Sequence, residues 1–304
     1  MSNRSVTSTR ADVYARITAE IIAAVETGAG ECRMPWHHDG ASTARPTNVA
    51  SSKRYRGVNT LLLWAAAARA GYTQGLWGTY RAWHAVGAQV RRGERASTVV
   101  LWKEVASTRD ELEDGADGDD NGCRRRPMFA RAYSVFNVRQ TDGYEPPPVP
   151  VLPESERLQH AETFIGNLGI KTVFEGDEAY YRPSTDTVVM PPFARFRDAG
   201  SLYGVWRHEL GHASAAPHRC NRDLNDRFGS AGYALEEVTV EILSSLVLAD
   251  LGIAHRPRPE HAAYISSWLE ALTDPRAIFT AAAKAQQAAD WMHARQPKAW
   301  EPKP

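Results

Sequence analysis

Near the start of the chain, apolar residues recur with the period of a helix. From Val13 to Val25, aliphatic side chains recur every four residues, which places them on one face of a helix. Residues Leu61 to Arg69 are rich in Ala and Leu and are followed by Gly71, a residue type that favours the end of a helix. The pattern predicts two helices in this part of the chain.

Two strands are predicted further along the first half. Segments 96–105 (ASTVVLWKEV) and 129–138 (FARAYSVFNV) are rich in β-branched and aromatic residues, as strands are. Between them, seven Asp or Glu residues lie from Asp110 to Asp120, and so many charges cannot be buried. We expect a β-hairpin whose connection, residues 107–122, is a disordered acidic loop.

A proline-rich segment separates these elements from a second set. Residues 141–157 contain five prolines, which can neither continue a helix nor join a central strand. Residues 156–169 predict a helix that ends at Gly169, residues 179–192 predict two short strands around a turn, and the chain from Leu202 onward is mostly helical. We predict an α+β fold with two domains, residues 8–140 and 156–296, which fold independently on either side of a linker at 141–155.

Composition excludes several classes of protein. The chain has 304 residues, of which 43% are hydrophobic and 24% charged, and its 36 basic and 36 acidic residues balance. It contains no stretch of 18 apolar residues, and residues 1–16 lack the apolar region that a signal peptide needs, so we expect no membrane partner. Cys32, Cys123 and Cys220 form no CxxC pair, which favours free thiols and a cytoplasmic protein.

The motif with the clearest chemistry is His-Glu-Leu-Gly-His at residues 208–212. On a helix, His208 and His212 lie one turn apart on the same face, where both imidazoles can reach one zinc ion at about 2.0–2.1 Å. Glu209 would then act as the general base on a water activated by the metal. A surface helix with two solvated histidines has the same five-residue pattern, so the metal interpretation needs a third ligand.

Two candidates for that ligand lie downstream. His218 has the spacing of the HExxHxxGxxH motif, but Ala215 occupies the glycine position, where the backbone must turn sharply. On a predicted helix further along, Glu237 and Glu241 lie one turn apart beside an apolar stripe, where an unpaired carboxylate is costly. We predict Glu237 as the third ligand, Glu241 as the acceptor of a ligand histidine's other N–H, and Glu236 as a solvated acid.

The first half has a different chemical character. Between Glu31 and Glu104 there are eleven Lys or Arg and four Asp or Glu, an excess of seven positive charges, together with five of the nine tryptophans. Cations that contact phosphates and rings that stack on bases are typical of sequence-tolerant binding to single strands. The candidate contacts are Arg91, Arg92, Arg95, Lys53, Arg54, Tyr55, Arg56, Asn59, Trp77 and Tyr80. The apolar segment around Trp77 suits the protein core equally well.

Several segments resemble one known family and occur in its order. The run HELGHASAAPHRCNRDLNDRFGSAGYALEEVTVEIL resembles the metallopeptidase-like domain of ArdC-type antirestriction proteins, in which an Arg-containing loop joins the motif to the glutamate helix. The first-half segments MPWHHDG, KRYRGVNTLLLW and YSVFNVRQ resemble the single-stranded-DNA-binding domain of that family. The resemblance departs at residues 213–216, where the family usually has an aromatic or Thr-Gly-His stretch, and at Val240, where the family has Ala.

The resemblance implies both a fold and a function. It implies a gluzincin-like, mostly helical C-terminal domain with a small sheet, which holds Zn²⁺ through His208, His212 and Glu237. It also implies an antirestriction protein of a plasmid or phage that binds single-stranded DNA and protects incoming DNA from host restriction. A host restriction protein or a peptide would be a further partner, and we expect the strand at 187–190 to hold an extended substrate by edge pairing.

Two alternatives stay open at this point. One is a DNA-binding protein whose zinc domain is structural or regulatory and cleaves nothing. The other is a plain zinc metalloprotease, with His218 as a ligand, whose basic half only docks its substrate.

Overall fold

The computed structural model of the chain describes residues 5–29, 34, 36–37, 45–104, 128–146, 154–224, 230–255 and 268–297. The acidic loop predicted at 107–122 and residues 147–153 of the predicted linker lie outside these residues. In the part that is described, no helix is both long and apolar enough to cross a membrane.

The first half combines helices with two small sheets. The helices are α1 (Ser5–Ala29), α2 (Val58–Ala70) and α3 (Tyr80–Ala85). The strands are β1 (Thr47–Asn48), β2 (Leu76–Gly78), β3 (Gln89–Val90), β4 (Ser97–Glu104), β5 (Met128–Asn137) and β6 (Thr141–Asp142). One sheet has the strand order β1-β2-β5-β4, and β3 pairs antiparallel with β6.

These elements confirm the predicted local structure. The aliphatic face of α1 is buried, including Ile17, Ile21 and Val25. Helix α2 ends at Gly71, which adopts a left-handed conformation with φ 67°. Strands β4 and β5 form the predicted antiparallel hairpin.

The second half places its sheet before most of its helices. Helix α4 (Glu154–Asn167) is followed by Gly169 with φ 67°. The sheet consists of β7 (Lys171–Phe174), β8 (Tyr180–Arg182) and β9 (Thr187–Met190), with β9 in the centre, parallel to β7 and antiparallel to β8. The later helices are α5 (Ala199–Ala213), α6 (Ala231–Asp250) and α7 (Ala277–His293). The α+β class is confirmed.

The two halves share one hydrophobic core. Buried side chains of α1 and α2 belong to the same cluster as those of α5, α6 and α7, and Trp36 packs near Trp268 with ring centroids 6.3 Å apart. Either half alone would therefore expose apolar surface that the other half covers. The shared core argues against the prediction that the two units fold independently. The predicted linker also begins too early, because Thr141 and Asp142 pair with β3.

A buried ion network joins the halves as well. The side chain of Asp250, at the end of α6, is inaccessible to solvent and accepts hydrogen bonds from Arg45 (3.2 Å), Arg54 (2.5 Å) and His293 (2.8 Å). Burial alone would raise the pKa of this carboxyl, but the charge of Arg45, the hydrogen bond from His293 and the charge of Arg54 together lower it to about 2. The chain around Arg54 is thereby fixed against the end of α6.

Candidate metal centre and DNA-contact residues

Helix α5 carries the His-Glu-Leu-Gly-His motif and packs against α6. Asp198 caps its first turn by accepting a hydrogen bond from the backbone N–H of Ser201 (2.7 Å). Gly211 of the motif lies where the two helices meet, and an added Cβ there would lie 2.6 Å from Cγ1 of Val240 on α6. The missing side chain lets the helices approach closely and brings the motif beside the glutamates of α6.

Three side chains converge between these helices with the spacing of metal ligands. The Nε2 atoms of His208 and His212 are 3.2 Å apart, and they lie 3.3 and 3.4 Å from the two carboxylate oxygens of Glu237. Ligand atoms about 2.0–2.1 Å from a tetrahedral ion are roughly 3.3–3.4 Å from one another. The measured distances are close to this value, so the residues present fit a divalent metal ion. We call these three residues the metal triad.

Carboxylates on α6 face the other nitrogen of each imidazole. Oε1 of Glu241 lies 2.7 Å from Nδ1 of His208, and Oε1 of Glu236 lies 3.7 Å from Nδ1 of His212. A proton held on Nδ1 leaves the lone pair of Nε2 for a metal, so these acids favour the tautomer that a ligand histidine needs. The geometry supports the role predicted for Glu241.

Glu236 is not the solvated acid that the sequence suggests. Its side chain is buried and accepts hydrogen bonds of 2.8–3.2 Å from the guanidinium of Arg222. Arg222 is buried too, and it also donates to the carbonyl of Gly211 (2.7 Å) and to Oγ of Ser214 (3.0 Å). Sequence reasoning missed Arg222 as an individual residue. The one clue to it is the Arg-containing loop between the motif and the glutamate helix.

Hydrogen bonds within this cluster shift the pKa values of His212 and Glu237. Burial of the His212 ring would lower its pKa, but hydrogen bonds with Glu236 and Glu237 raise it to about 10. Burial would raise the pKa of Glu237, but hydrogen bonds from His208 and His212 hold it well below its usual range.

The metal triad lines a cleft with a volume of about 750 Å³. Glu209 lines the same cleft, as do Trp268 and Tyr233, which precedes Glu237 by one turn of α6. Residues of β8 form another part of the lining. The strand at 187–190, predicted to hold a substrate, is the central strand β9, with a neighbour on each side. That prediction is wrong, and among the described strands β8 is the sheet edge at the cleft.

His218 lies apart from the metal triad. Its side chain is 62% exposed, and its Nε2 lies 3.4 Å from Oδ2 of Asp186. Arg219 holds Asp186 through two hydrogen bonds of 2.7 Å. His218 thus belongs to a surface cluster of charges, in agreement with its exclusion as the third ligand.

The predicted DNA contacts divide into exposed residues and residues used by the fold. Lys53, Tyr80, Arg92 and Arg95 have exposed side chains, and their contact with DNA stays a prediction. Arg91 is exposed as well, but its guanidinium already pairs with two acidic side chains at 2.8 and 3.4 Å. It is therefore a weaker candidate than its two neighbours.

Most of the aromatic residues proposed for base stacking are buried. Trp77 is completely inaccessible to solvent, so its assignment as a DNA contact is wrong. Trp36, Trp64 and Trp83 are buried too, so these tryptophans belong to the core. Tyr80, which is 50% exposed, is the ring among the predicted contacts that a base could reach.

Two of the predicted phosphate contacts connect the halves of the chain instead. Arg54 pairs with the buried carboxylate of Asp250, and Arg56 pairs with Asp290 on α7. The two cations therefore already have partners in the second half. The assignment of Arg54 as a phosphate contact is corrected to a role in holding the halves together, whereas Arg56, which is 60% exposed, is a weaker candidate for a phosphate contact.

The two polar neighbours of these arginines also serve the fold. The side-chain amide of Asn59 donates to the carbonyl of Val100 and accepts from its backbone N–H, both at 2.8 Å, which ties α2 to β4. The hydroxyl of Tyr55, which is half-buried, accepts a hydrogen bond from Asn48 (3.1 Å). These contacts assign both residues to local structure rather than to DNA binding.

Two family models match the chain, one in each half. Residues 11–136 match the N-terminal domain of the anti-restriction factor ArdC, and residues 159–284 match a zincin-like metallopeptidase domain. The chain is 57% identical over 298 residues to the protein y4eC of Sinorhizobium fredii, with 97% of this chain and 96% of that protein covered. It is 35% identical to a DNA primase TraC of Escherichia coli, which it covers over only 20% of that protein's length.

Solved structures of one further protein resemble nearly the whole chain. The crystal structure of the metal-free antirestriction protein ArdC from the plasmid R388 has 33% sequence identity and a TM-score of 0.74, with 93% of this chain and 97% of that chain covered. Its Mn(II)-bound structure has 30% identity and a TM-score of 0.73, with 94% and 99% covered. Together with the two-domain fold and the metal triad, these similarities show that the chain belongs to the ArdC family of antirestriction proteins.

Proposed function

We propose that this protein protects DNA entering a cell from host restriction, and that it acts in the cytoplasm. A surface in its first half would bind single-stranded DNA, and its second half would hold a divalent metal. Family membership supports the antirestriction role, and the similarity to TraC supports association with DNA. The observation that carries the metal centre is the 3.2–3.4 Å spacing of the three ligand atoms of the metal triad.

The metal that we propose is zinc. Two imidazoles and one carboxylate that together line a cleft are the donor set of catalytic zinc sites. The Mn(II)-bound structure of the R388 relative supports a divalent ion more generally. When bound, the ion supplies Lewis-acid polarisation of a carbonyl group.

Other residues of the cleft would act on a peptide. Glu209 would accept a proton as general base, since it lines the cleft directly beside His208 in the chain. An extended peptide would pair with the edge of β8, where main-chain hydrogen bonds supply affinity. Tyr233 would place a hydroxyl on the wall of the cleft, where a donor can stabilise negative charge that develops on the substrate.

The DNA surface would use the exposed residues of the first half. Lys53, Arg92 and Arg95 supply cations for phosphates, and Tyr80 supplies a ring for stacking. Neither contact reads the identity of a base, so binding would be tolerant of sequence and sensitive to salt. That is the behaviour needed to coat DNA of any sequence.

A DNA-transfer assay tests the role of the metal domain. Unmodified plasmid DNA enters a restricting and a non-restricting strain that express the wild-type protein or a variant, and protection is the ratio of recovered colonies. Glu209→Gln keeps the metal triad but removes the general base. Loss of protection with retained metal supports peptide hydrolysis, whereas full protection by Glu209→Gln shows that the metal domain is structural or regulatory.

The same assay tests the DNA surface. Replacing Lys53, Arg92 and Arg95 by Ala should abolish most of the protection. A matched control removes three exposed cations from the second half, namely Lys171, Arg195 and Arg197, and should protect normally. Equal protection by both triple variants would contradict the proposed surface.

A further inference from the structure

Arg222 is a buried arginine that contacts both helices of the metal triad. Its side chain is 2% exposed, and that of its partner Glu236 is 10% exposed. The guanidinium donates to both carboxylate oxygens of Glu236 on α6 at 2.8–3.2 Å and to the carbonyl of Gly211 on α5 at 2.7 Å. One planar cation thus joins the helix of the ligand histidines to the helix of the ligand glutamate, in a place that water scarcely reaches.

The contact with Gly211 lies in the last turn of α5, which ends at Ala213. A helix leaves the carbonyls of its last turn without helical partners, and the helix dipole favours a cation beside them. The carbonyl of Gly211 accepts hydrogen bonds from Oγ of Ser214 (2.6 Å) and from Arg222. Since His212 is the next residue, the turn that Arg222 holds is the turn that carries the second ligand histidine.

The contact with Glu236 lies at the level of the triad on α6, because Glu236 directly precedes the ligand Glu237. Oε1 of Glu236 accepts the 2.8 Å hydrogen bond from Arg222, and the same atom lies 3.7 Å from Nδ1 of His212. Arg222 therefore fixes the position of the acid that faces the outer nitrogen of a ligand histidine.

The loop between α5 and α6 brings Arg222 to this place. The backbone N–H of Arg222 donates to the carbonyl of Ala215 (2.9 Å), and that of Cys220 donates to the carbonyl of Ser214 (3.0 Å), so the chain folds back onto the end of α5. Asn221 adopts a left-handed conformation with φ 48°, which Asn tolerates better than most residues. The guanidinium is therefore held from its own backbone as well as by its partners.

From these contacts we propose that Arg222 is a positioning residue of the metal centre, which acts through Glu236 and through the last turn of α5. The triad is divided between two helices, with His208 and His212 on α5 and Glu237 on α6, so its spacing depends on how these helices are held. A guanidinium donates in fixed directions and can set the orientation of the helices as well as their separation. The proposal deepens the proposed function and rests on it, because it requires a metal at the triad.

A double variant separates positioning from stability. Arg222→Met leaves the carboxylate of Glu236 buried without its partner, which should lower both the thermal stability of the protein and its metal affinity. Adding Glu236→Leu fills the same space with apolar side chains, and such a replacement of a buried ion pair commonly restores stability. We expect the double variant to unfold near the wild-type temperature in the absence of metal. It should still bind metal roughly 10–100-fold more weakly than the wild type, the usual effect of losing residues that orient metal ligands.

Two measurements report on the metal site itself. Competition with a chelator gives the affinity of each variant for Zn²⁺, and the absorption spectrum of the Co²⁺ form reports the geometry of the site. The bands should shift in Arg222→Met and stay shifted in the double variant. Wild-type affinity and wild-type bands in the double variant would overturn the positioning role of Arg222.

Arg222→Lys provides a second comparison if the double variant does not fold. An ammonium group keeps the charge and a donor for Glu236, but it lacks the planar fork that reaches several partners in fixed directions. Arg222→Lys should therefore bind metal more tightly than Arg222→Met and less tightly than the wild type. Equal affinities of the Lys and Met variants would contradict the proposal.

A matched control removes an arginine from the other end of α6. Arg157 is partly buried and donates to the carbonyl of Gly252 (2.6 Å), just beyond the end of that helix. Arg157→Met should bind metal as the wild type does, and a loss equal to that of Arg222→Met would show that any weakening of the fold lowers metal affinity, which would overturn the proposal. If the wild type binds no divalent metal, the metal centre itself is wrong and the proposal fails with it.

Discussion

The metal centre and the basic first-half surface both depend on charged side chains, but only one of them follows from local spacing. In the metal centre, pairs of ionisable residues lie four positions apart on α5 and α6, and a helix converts that spacing into a shared face. On the basic surface, a cation can have its partner far away in the chain. Arg54 meets Asp250 across 196 residues. Site residues that share a helix face can therefore be predicted from the sequence. The sequence alone does not distinguish a cation that contacts DNA from a cation that pairs with an acid of the other half.

Removing a metal ligand should have the largest effect. It tests the metal triad, whose residues lie at helical spacing. Glu237→Ala deletes one of three ligands, so the purified protein should lose the roughly one ion per chain expected of such a site. His218→Ala is the matched control, because that histidine lies on the surface beside Asp186, and it should keep its metal. Elemental analysis of both variants decides the question. Loss of metal in His218→Ala with retention in Glu237→Ala would contradict the assignment of the metal triad.

Breaking the buried ion network around Asp250 should have the next largest effect. It tests the contacts between residues that are far apart in the chain. Asp250→Asn removes the countercharge of the buried Arg45 and of the partly exposed Arg54, which should destabilise the protein by about 3–5 kcal/mol. The pKa of Asp250 is lowered to about 2, below its usual 3.8, so its contribution is present above pH 3.8 and is lost as the pH falls through about 2. Urea unfolding between pH 7 and pH 2 should show this acid loss in the wild type and a smaller one in Asp250→Asn.

A truncated chain tests directly whether the first half folds without the second. Residues 1–145 lack α5, α6 and α7, which cover the apolar faces of α1 and α2. We expect this fragment to show no cooperative unfolding transition, and a full-length chain cleaved within residues 147–153 to keep one. A cooperative transition in the fragment alone would restore the idea of independent folding.

The sequence predicted elements and local motifs better than it predicted partners. The aliphatic face of α1 and the shared face of His208 and His212 follow from helical periodicity, and the β4–β5 hairpin follows from the residue types of its strands. The burial of Trp77 depends on packing between α2 and the sheet, which no short window of sequence contains. The pairing of Arg222 with Glu236 depends on how a loop returns to α6. Loops have no fixed period, so the sequence does not determine that return.

A smaller effect is expected where the two helices of the metal centre touch. Gly211→Ala places a methyl group 2.6 Å from Cγ1 of Val240, so α5 and α6 must separate slightly. Such overpacking costs about 1–3 kcal/mol, which the higher helix propensity of Ala offsets by at most about 1 kcal/mol. Adding Val240→Ala makes room for the methyl group, and the double variant should recover both stability and metal affinity. Strictly additive effects in thermal unfolding and metal titration would show that the two side chains do not limit the approach of the helices.

The smallest effect per residue is expected for DNA binding by the exposed cations of the first half. This prediction tests whether these exposed cations, rather than those paired within the protein, contact DNA. Binding of a labelled oligonucleotide is followed by fluorescence anisotropy at several salt concentrations, and the slope of log K against log salt counts the phosphate contacts. Replacing Lys53, Arg92 and Arg95 together should flatten that slope by about 2 units, since each contact to a single strand contributes about 0.7. Replacing Arg54 and Arg56 should instead lower the stability of the protein. The variant molecules that remain folded should bind the oligonucleotide with an unchanged slope of log K against log salt, because both cations are paired with acids of the second half. A flatter slope in the Arg54 and Arg56 variant, with no change in the other, would show that DNA displaces the interdomain ion pairs and that the basic surface extends across the contact between the halves.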